Sequence, residues 1–111
     1  MRLPNASKAQ VEPSKVFEYL LNEDHPSGSS KALFFRRFGF RRNRWRQFAD
    51  ALRNHALRHE VRDKAESDYG IRYVIEGPLR TPDGRNPMVR TVWIVEDEST
   101  IPRLVTAYPT H

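Results

Sequence analysis

The spacing of apolar residues changes at about residue 59, and this change limits what the chain can fold into. Before it, apolar residues recur at helical intervals. Val16, Tyr19 and Leu20 fall at i, i+3, i+4, and Trp45, Phe48, Ala49, Leu52 and Ala56 form an amphipathic stripe. After it, Ile71–Glu76, Met88–Val95 and Ile101–Tyr108 alternate and are rich in β-branched and aromatic residues. Helices first and strands second is the order of an α+β domain. We expect about three N-terminal helices packed on one face of a C-terminal antiparallel sheet of three to four strands.

Punctuating residues set the boundaries. Pro13 suits the first turn of a helix over about 13–22, since its missing N–H costs nothing there. A loop rich in Asp, Pro, Gly and Ser follows. A second helix runs from Ser29 or Ser30 to Phe38, with serine as the cap and Gly39 as the stop. A third runs from Asn43, its expected cap, to Arg58. Residues 60–67 are a weaker strand candidate, and Gly77-Pro78 suggests a bulge or bend. Thr81–Pro87, with Asp83-Gly84 at its centre, is a strong turn signal. The 111 residues are expected to form one domain, helical over 1–58 and sheet over 59–111.

Charge is unevenly distributed. Net charge is −1 over residues 1–30, +8 over 31–62 and −2 over 63–111, for a total of +5. Such a basic block suits a polyanion or an acidic protein partner, although a solvated arginine-rich helix face has the same composition. The chain has no cysteine, so it has no disulfide framework or thiolate metal site. It has neither an apolar span nor a signal-like start, and we expect a soluble, cytoplasmic protein.

The candidate chemistry begins at His25-Pro26-Ser27-Gly28-Ser29-Ser30-Lys31. Backbone N–H groups at a helix start bind anions, Lys31 adds a full charge, and a histidine moves protons near neutral pH. Arg90, Arg103, Thr106 and Tyr108 are polar positions in strongly apolar strands. Alternation places Arg103, Val105 and Ala107 on one face and Leu104, Thr106 and Tyr108 on the other. The arginines either bind phosphate or pair with Glu76 or Glu96. His55 and His59 have the i, i+4 spacing of metal ligands, but no third ligand follows, so no metal site is assigned.

These pieces combine into a pattern. Leu3-Pro4-Asn5, Tyr19-Leu20-Leu21, His25-Pro26-x-Gly28-x-Ser30-Lys31-Ala32-x-Phe34-Phe35, Phe38-Gly39-Phe40, Tyr69-Gly70-x-Arg72-Tyr73, Gly84-Arg85, Arg90-Thr91-Val92-Trp93 and Pro102 to Pro109 together resemble the bacterial domain of unknown function 6883. The resemblance covers nearly the whole chain. Members of that family occur as small stand-alone proteins, often encoded beside a small acidic partner, and as C-terminal tips of larger toxins. The resemblance implies a toxin of a toxin–antitoxin pair, with a fold similar to the metal-independent RNase toxins grouped with barnase, colicin E5 and RelE. The arginine-rich stretch after Phe40 departs from the family pattern and suggests added nucleic-acid affinity.

The expected activity is endoribonucleolytic cleavage by 2′-OH attack, with no cofactor. His25 would be base or acid, and Lys31 with the Ser29 and Ser30 amides would hold phosphate. Arg90 and Arg103 would clamp the transition state, with Thr106 and Tyr108 positioning phosphate or donating a proton. Arg41, Arg42, Arg44 and Arg46 would bind RNA. The expected partners are RNA and a small acidic antitoxin, and no membrane. The alternative is a non-catalytic basic module that binds nucleic acid or a protein partner.

Overall fold

The structure, a computed structural model, describes residues 1–22, 24 and 29–110, residue 29 by its backbone alone. Helix α1 (Pro13–Lys15) has Pro13 in its first turn and runs directly into a wider π turn, Val16–Leu20, closed by Leu21 N–H to Val16 O at 2.8 Å. Helix α2 is Ser29–Arg37 and α3 is Trp45–Arg58. The strands are β1 (Val61–Ser67), β2 (Gly70–Pro78), β3 (Met88–Glu96) and β4 (Arg103–Pro109). They form an antiparallel meander in the order β1-β2-β3-β4. The molecule is thus helices followed by an antiparallel sheet, an α+β fold.

Two helix boundaries have clear local causes. The end of α2 is fixed by Gly39, whose φ of +104° is costly for other residues. Phe40 N–H reaches Phe35 O at 3.3 Å and Gly39 N–H reaches Arg36 O at 3.0 Å. This is the paired closure that satisfies the last carbonyls of a helix, and the Phe35 and Phe40 rings pack across it. Asn43 does not cap α3. It lies in a 3₁₀ turn, Arg42–Arg44, and the residue before the helix is Arg44, with no side-chain cap bond. A tightened turn replaces the expected cap.

The core lies between α3, α1 with its π turn, and one face of the sheet. Phe35, Phe40, Phe48, Leu52, Ile75, Trp93 and Leu104 are among its fully or nearly fully buried members. Burying side chains of this size at roughly 1.5–3 kcal/mol each is the main force holding helices to sheet. On β3, Val89, Thr91 and Trp93 point into this core. Alternation sends Arg90, Val92 and Ile94 to the opposite, outer face.

β4 corrects the expected alternation. Val92 pairs with Thr106 but Trp93 pairs with Leu104, so Val105 is an extra residue, a β-bulge. Leu104 and Ala107 therefore both enter the core, while Arg103, Thr106 and Tyr108 share the outer face with Arg90. The bulge at Gly77-Pro78 is absent, because both residues pair regularly with Val89 and Met88. The edge of β4 is covered by the N-terminal segment, where Gln10 N–H meets Pro102 O and Leu104 N–H meets Gln10 O, both at 2.9 Å.

Candidate functional site

Folding around the β4 edge brings α1, α2 and the outer sheet face together. The Lys31 ammonium, near the start of α2, donates to the Tyr19 hydroxyl and to Thr106 Oγ1, the latter at 3.2 Å. It lies 4.7 Å from the centre of the Tyr19 ring and 6.0 Å from that of Tyr108. Among the described residues no carboxylate pairs with it. It is a cation held by hydroxyls and aromatic faces, which position it without cancelling its charge.

Tyr19 is the residue that sequence reasoning missed. It occupies a helical apolar stripe with Val16 and Leu20 and reads as core. In the π turn its ring still packs against the core, and its hydroxyl reaches Lys31. Partial burial pushes the phenol up, but hydrogen bonds with Lys31 and Thr106, with the charges of Lys31 and Lys15, outweigh burial and lower its pKa below the usual tyrosine value. One signal was available: a tyrosine on a buried helix face needs a partner for its hydroxyl.

Arg90 and Arg103 lie on the same face, and both are engaged. Arg90 Nε donates to Glu76 at 2.8 Å, and Glu76 also binds Arg62. Hydrogen bonding to Glu76, and then to Tyr108, stabilises the charged form of Arg90. Arg103 binds Glu96, with Nε to Oε1 at 2.9 Å, and reaches Glu12 at 3.3 Å. Each arginine therefore arrives with a carboxylate partner. Glu76 takes the Nε of Arg90, whereas all three guanidinium nitrogens of Arg103 meet Glu96 or Glu12, and in both cases the pairing lowers the net positive charge offered to phosphate.

Ser30 is exposed in the first turn of α2, whose backbone begins at Ser29. His25 lies outside the described residues. Arg41, Arg42, Arg44 and Arg46 are exposed on and beside the 3₁₀ turn before α3, away from the Lys31 cluster in sequence and packed differently. Arg42 covers the Phe17 ring at 5.8 Å and Arg46 the Trp45 ring at 4.8 Å, with Phe17 and Trp45 5.5 Å apart. His55 is not a ligand. Its ring is buried and fully hydrogen-bonded, and among the described residues no group of three or more His, Cys, Asp or Glu could hold a metal ion.

Two connected grooves run along the outer face beside this cluster. One, of about 560 Å³, is lined by Tyr19, Thr106, Lys15 and Arg103, with Glu12 and Glu18 among its other walls. The second, of about 310 Å³, shares Lys15, Arg103 and Val105 and continues to Ile94, Arg72, Glu96 and Tyr69. Arg90 and Tyr108 line a further depression of about 340 Å³ at the opposite end of the face. Among the described residues, no helix is long and apolar enough to cross a membrane.

Comparison with known proteins agrees with the architecture. A chain of a solved contact-dependent growth inhibition toxin–immunity protein complex from Klebsiella pneumoniae 342 superposes with a TM-score of 0.74 at 18% identity, covering 96% of this chain and 97% of that one. At that identity the likeness is one of fold. No curated protein matches. Residues 2–111 match the family described as domain of unknown function 6883, and the chain belongs to that family.

Proposed function

We propose that this chain is a toxin that cleaves RNA without a metal ion, with its reacting phosphate seated against Lys31 on the outer sheet face. The observation that carries the reading is the Lys31 ammonium, held by Tyr19 and Thr106 beside Tyr108 and at the edge of an open groove. The fold shared with a chain of a toxin–immunity complex supports the toxin role and a protein partner that covers the site. A small acidic antitoxin meets the basic surface of residues 31–62 with complementary charge. The reaction is expected to take place in the cytoplasm, where the RNA is.

The chemistry follows from the groups present. The ribose 2′-oxygen attacks the adjacent phosphorus while a base takes its proton, and the bond from phosphorus to the 5′-oxygen breaks as an acid protonates that oxygen. The products are a 2′,3′-cyclic phosphate and a 5′-hydroxyl. Negative charge grows on the non-bridging oxygens, where a preorganised cation is worth most. Lys31 and the Ser29 and Ser30 amides take that role. Tyr19, lowered by its lysine neighbour, is one proton carrier, and His25, six residues before Lys31 in the chain, is the other. Thr106 and Tyr108 orient the phosphate, Arg90 contributes the guanidinium N–H groups that Glu76 leaves open, and Arg103 reaches phosphate by exchanging Glu12 or Glu96 for it.

The test is growth and total RNA after induction in a sensitive host. Wild-type protein is expected to arrest growth and leave discrete RNA fragments, and Lys31→Ala is expected to do neither while reaching the same soluble level. Fragments of equal intensity from both proteins would remove Lys31 from the mechanism. A non-catalytic basic module predicts intact RNA from both.

A further inference from the structure

Resting on the RNA-cleaving reading, we propose that Tyr69 and Arg72 form a subsite for one unpaired base and its phosphate, so that the substrate must present a single-stranded segment. Tyr69 is 75% exposed, the highest exposure of any large apolar side chain described. A single exposed ring is ordinary by itself; this one is fixed in place and lines a groove with an arginine. The ring stands at the tip of the β1–β2 turn, and its backbone is held in place. Its carbonyl accepts from Asp97 N–H at 3.0 Å, and its N–H donates to Ser67 Oγ at 3.3 Å.

Gly70 makes this placement possible. Its φ is +149°, and a Cβ there would stand 2.2 Å from Val95 O. Only glycine lets the turn close against the end of β3, and this closure sets the ring beside the 310 Å³ groove that it lines. That volume suits one nucleoside.

The charges in the groove match. Among the described residues Arg72 has no carboxylate partner, unlike Arg90 and Arg103, and Lys15 lies over the Tyr19 ring at 5.6 Å. Glu96, the acidic group on the same wall, is taken up by Arg103. The groove joins the larger one, which is lined by Tyr19 and Thr106, the partners of Lys31, through Lys15, Arg103 and Val105. A strand crossing the outer face would meet Lys31 at one point and, at the far end, an aromatic face beside a free guanidinium. Stacking on such a ring needs a base that has left its helix, and it tolerates any base identity.

The test is binding of one fully 2′-O-methylated RNA oligonucleotide, which cannot be cleaved, as a single strand and as a duplex. The single strand is expected to bind at least about tenfold more tightly than the duplex, and Tyr69→Ala to lose about tenfold of that affinity. Tyr69→Phe, which keeps the ring, is expected to bind like wild type. Arg72→Ala is expected to lower the slope of log affinity against log salt by about 1, whereas Tyr69→Ala leaves the slope unchanged. Equal binding of strand and duplex, or no loss in Tyr69→Ala, overturns the subsite. So does absence of RNA binding in either form, which would leave the face to a protein partner. Because the probe is inert, binding that behaves as expected without any cleavage of ordinary RNA would uphold the subsite and refute the nuclease. Cleavage with unchanged KM in Tyr69→Ala would do the opposite.

Discussion

Protonation of the buried His55 should make stability depend on pH, and the size of the effect follows from the surroundings of the ring. Nε2 faces the carbonyls of Gly77 and Val89, both at 3.0 Å, so Nε2 carries the proton and donates. Nδ1 accepts from the Thr91 hydroxyl at 3.0 Å, and the Thr91 oxygen in turn accepts from Trp93 Nε1–H at 2.9 Å. Every polar atom in this chain is satisfied by the neutral ring. A proton on Nδ1 would face a hydroxyl already pointing its own hydrogen that way, at a residue 2% exposed. Burial is the largest cause of the shift, opposed by the Gly77 and Val89 carbonyls and reinforced by His59, and it lowers the pKa from 6.5 to about 4. An unfolded chain binds the proton near 6.5, and the folded chain refuses it until about 4. The stability contribution is therefore whole above the upper value and is lost as pH falls toward the lower one. At about 1.4 kcal/mol per pH unit, the loss is roughly 3 kcal/mol. Urea unfolding followed by tryptophan fluorescence across this range measures it. Wild type should lose about 3 kcal/mol more than His55→Leu. Parallel curves for the two proteins would refute the assignment. Titration of the His55 ring by NMR in wild type gives the same answer without the variant, and a midpoint near 6.5 would contradict the structure.

Other perturbations test separate parts of the account. Gly70→Ala places a methyl 2.2 Å from Val95 O in a backbone region unfavourable to alanine, and a loss of about 3 kcal/mol or more is expected in the same unfolding assay. Glu76→Gln frees Arg90 and Arg62 together, and RNA affinity and its salt slope should both increase, as read by fluorescence anisotropy. Replacing Arg41, Arg42, Arg44 and Arg46 with alanine should flatten the salt slope by up to about 4 if all four meet phosphates, and leave the cleavage positions unchanged. A shifted cleavage pattern would place those arginines at the reacting site instead.

The fold was legible because its signals are local. The stripe Phe48, Ala49, Leu52 and Ala56 and the run Met88–Val95 each carry a pattern strong enough to name their element; the helix stripe is buried as its period requires, while on the strand Thr91 to Ile94 are all buried, so both faces of β3 are covered there. Gly39 and Pro13 mark the boundaries that their backbone preferences allow. The site was less legible because it depends on departures from these periods. The Val105 bulge moves Arg103 onto the face that Thr106 and Tyr108 share with Arg90 and turns Leu104 into the core, and no residue type around it announces the extra residue. Tyr19 keeps its ring against the core, while its hydroxyl reaches Lys31. Pairing of Arg90 and Arg103 with Glu76 or Glu96 was one of the two alternatives the sequence left open, and the strand register decides it: Arg90 meets Glu76 and Arg103 meets Glu96. Lys15 and Arg72 line the grooves, and among the described residues neither they nor Lys31 have a carboxylate partner.

The central claim is that an anion-holding cation at Lys31 drives cleavage of RNA by its own 2′-hydroxyl. The most direct measurement incubates purified wild-type protein and Lys31→Ala with RNA in excess EDTA and analyses the ends of any fragments. The account predicts 2′,3′-cyclic phosphate and 5′-hydroxyl ends from wild type, with a rate at least about 10²-fold lower for Lys31→Ala. Fragments bearing 5′-phosphates, cleavage abolished by EDTA, or equal rates for the two proteins would contradict it.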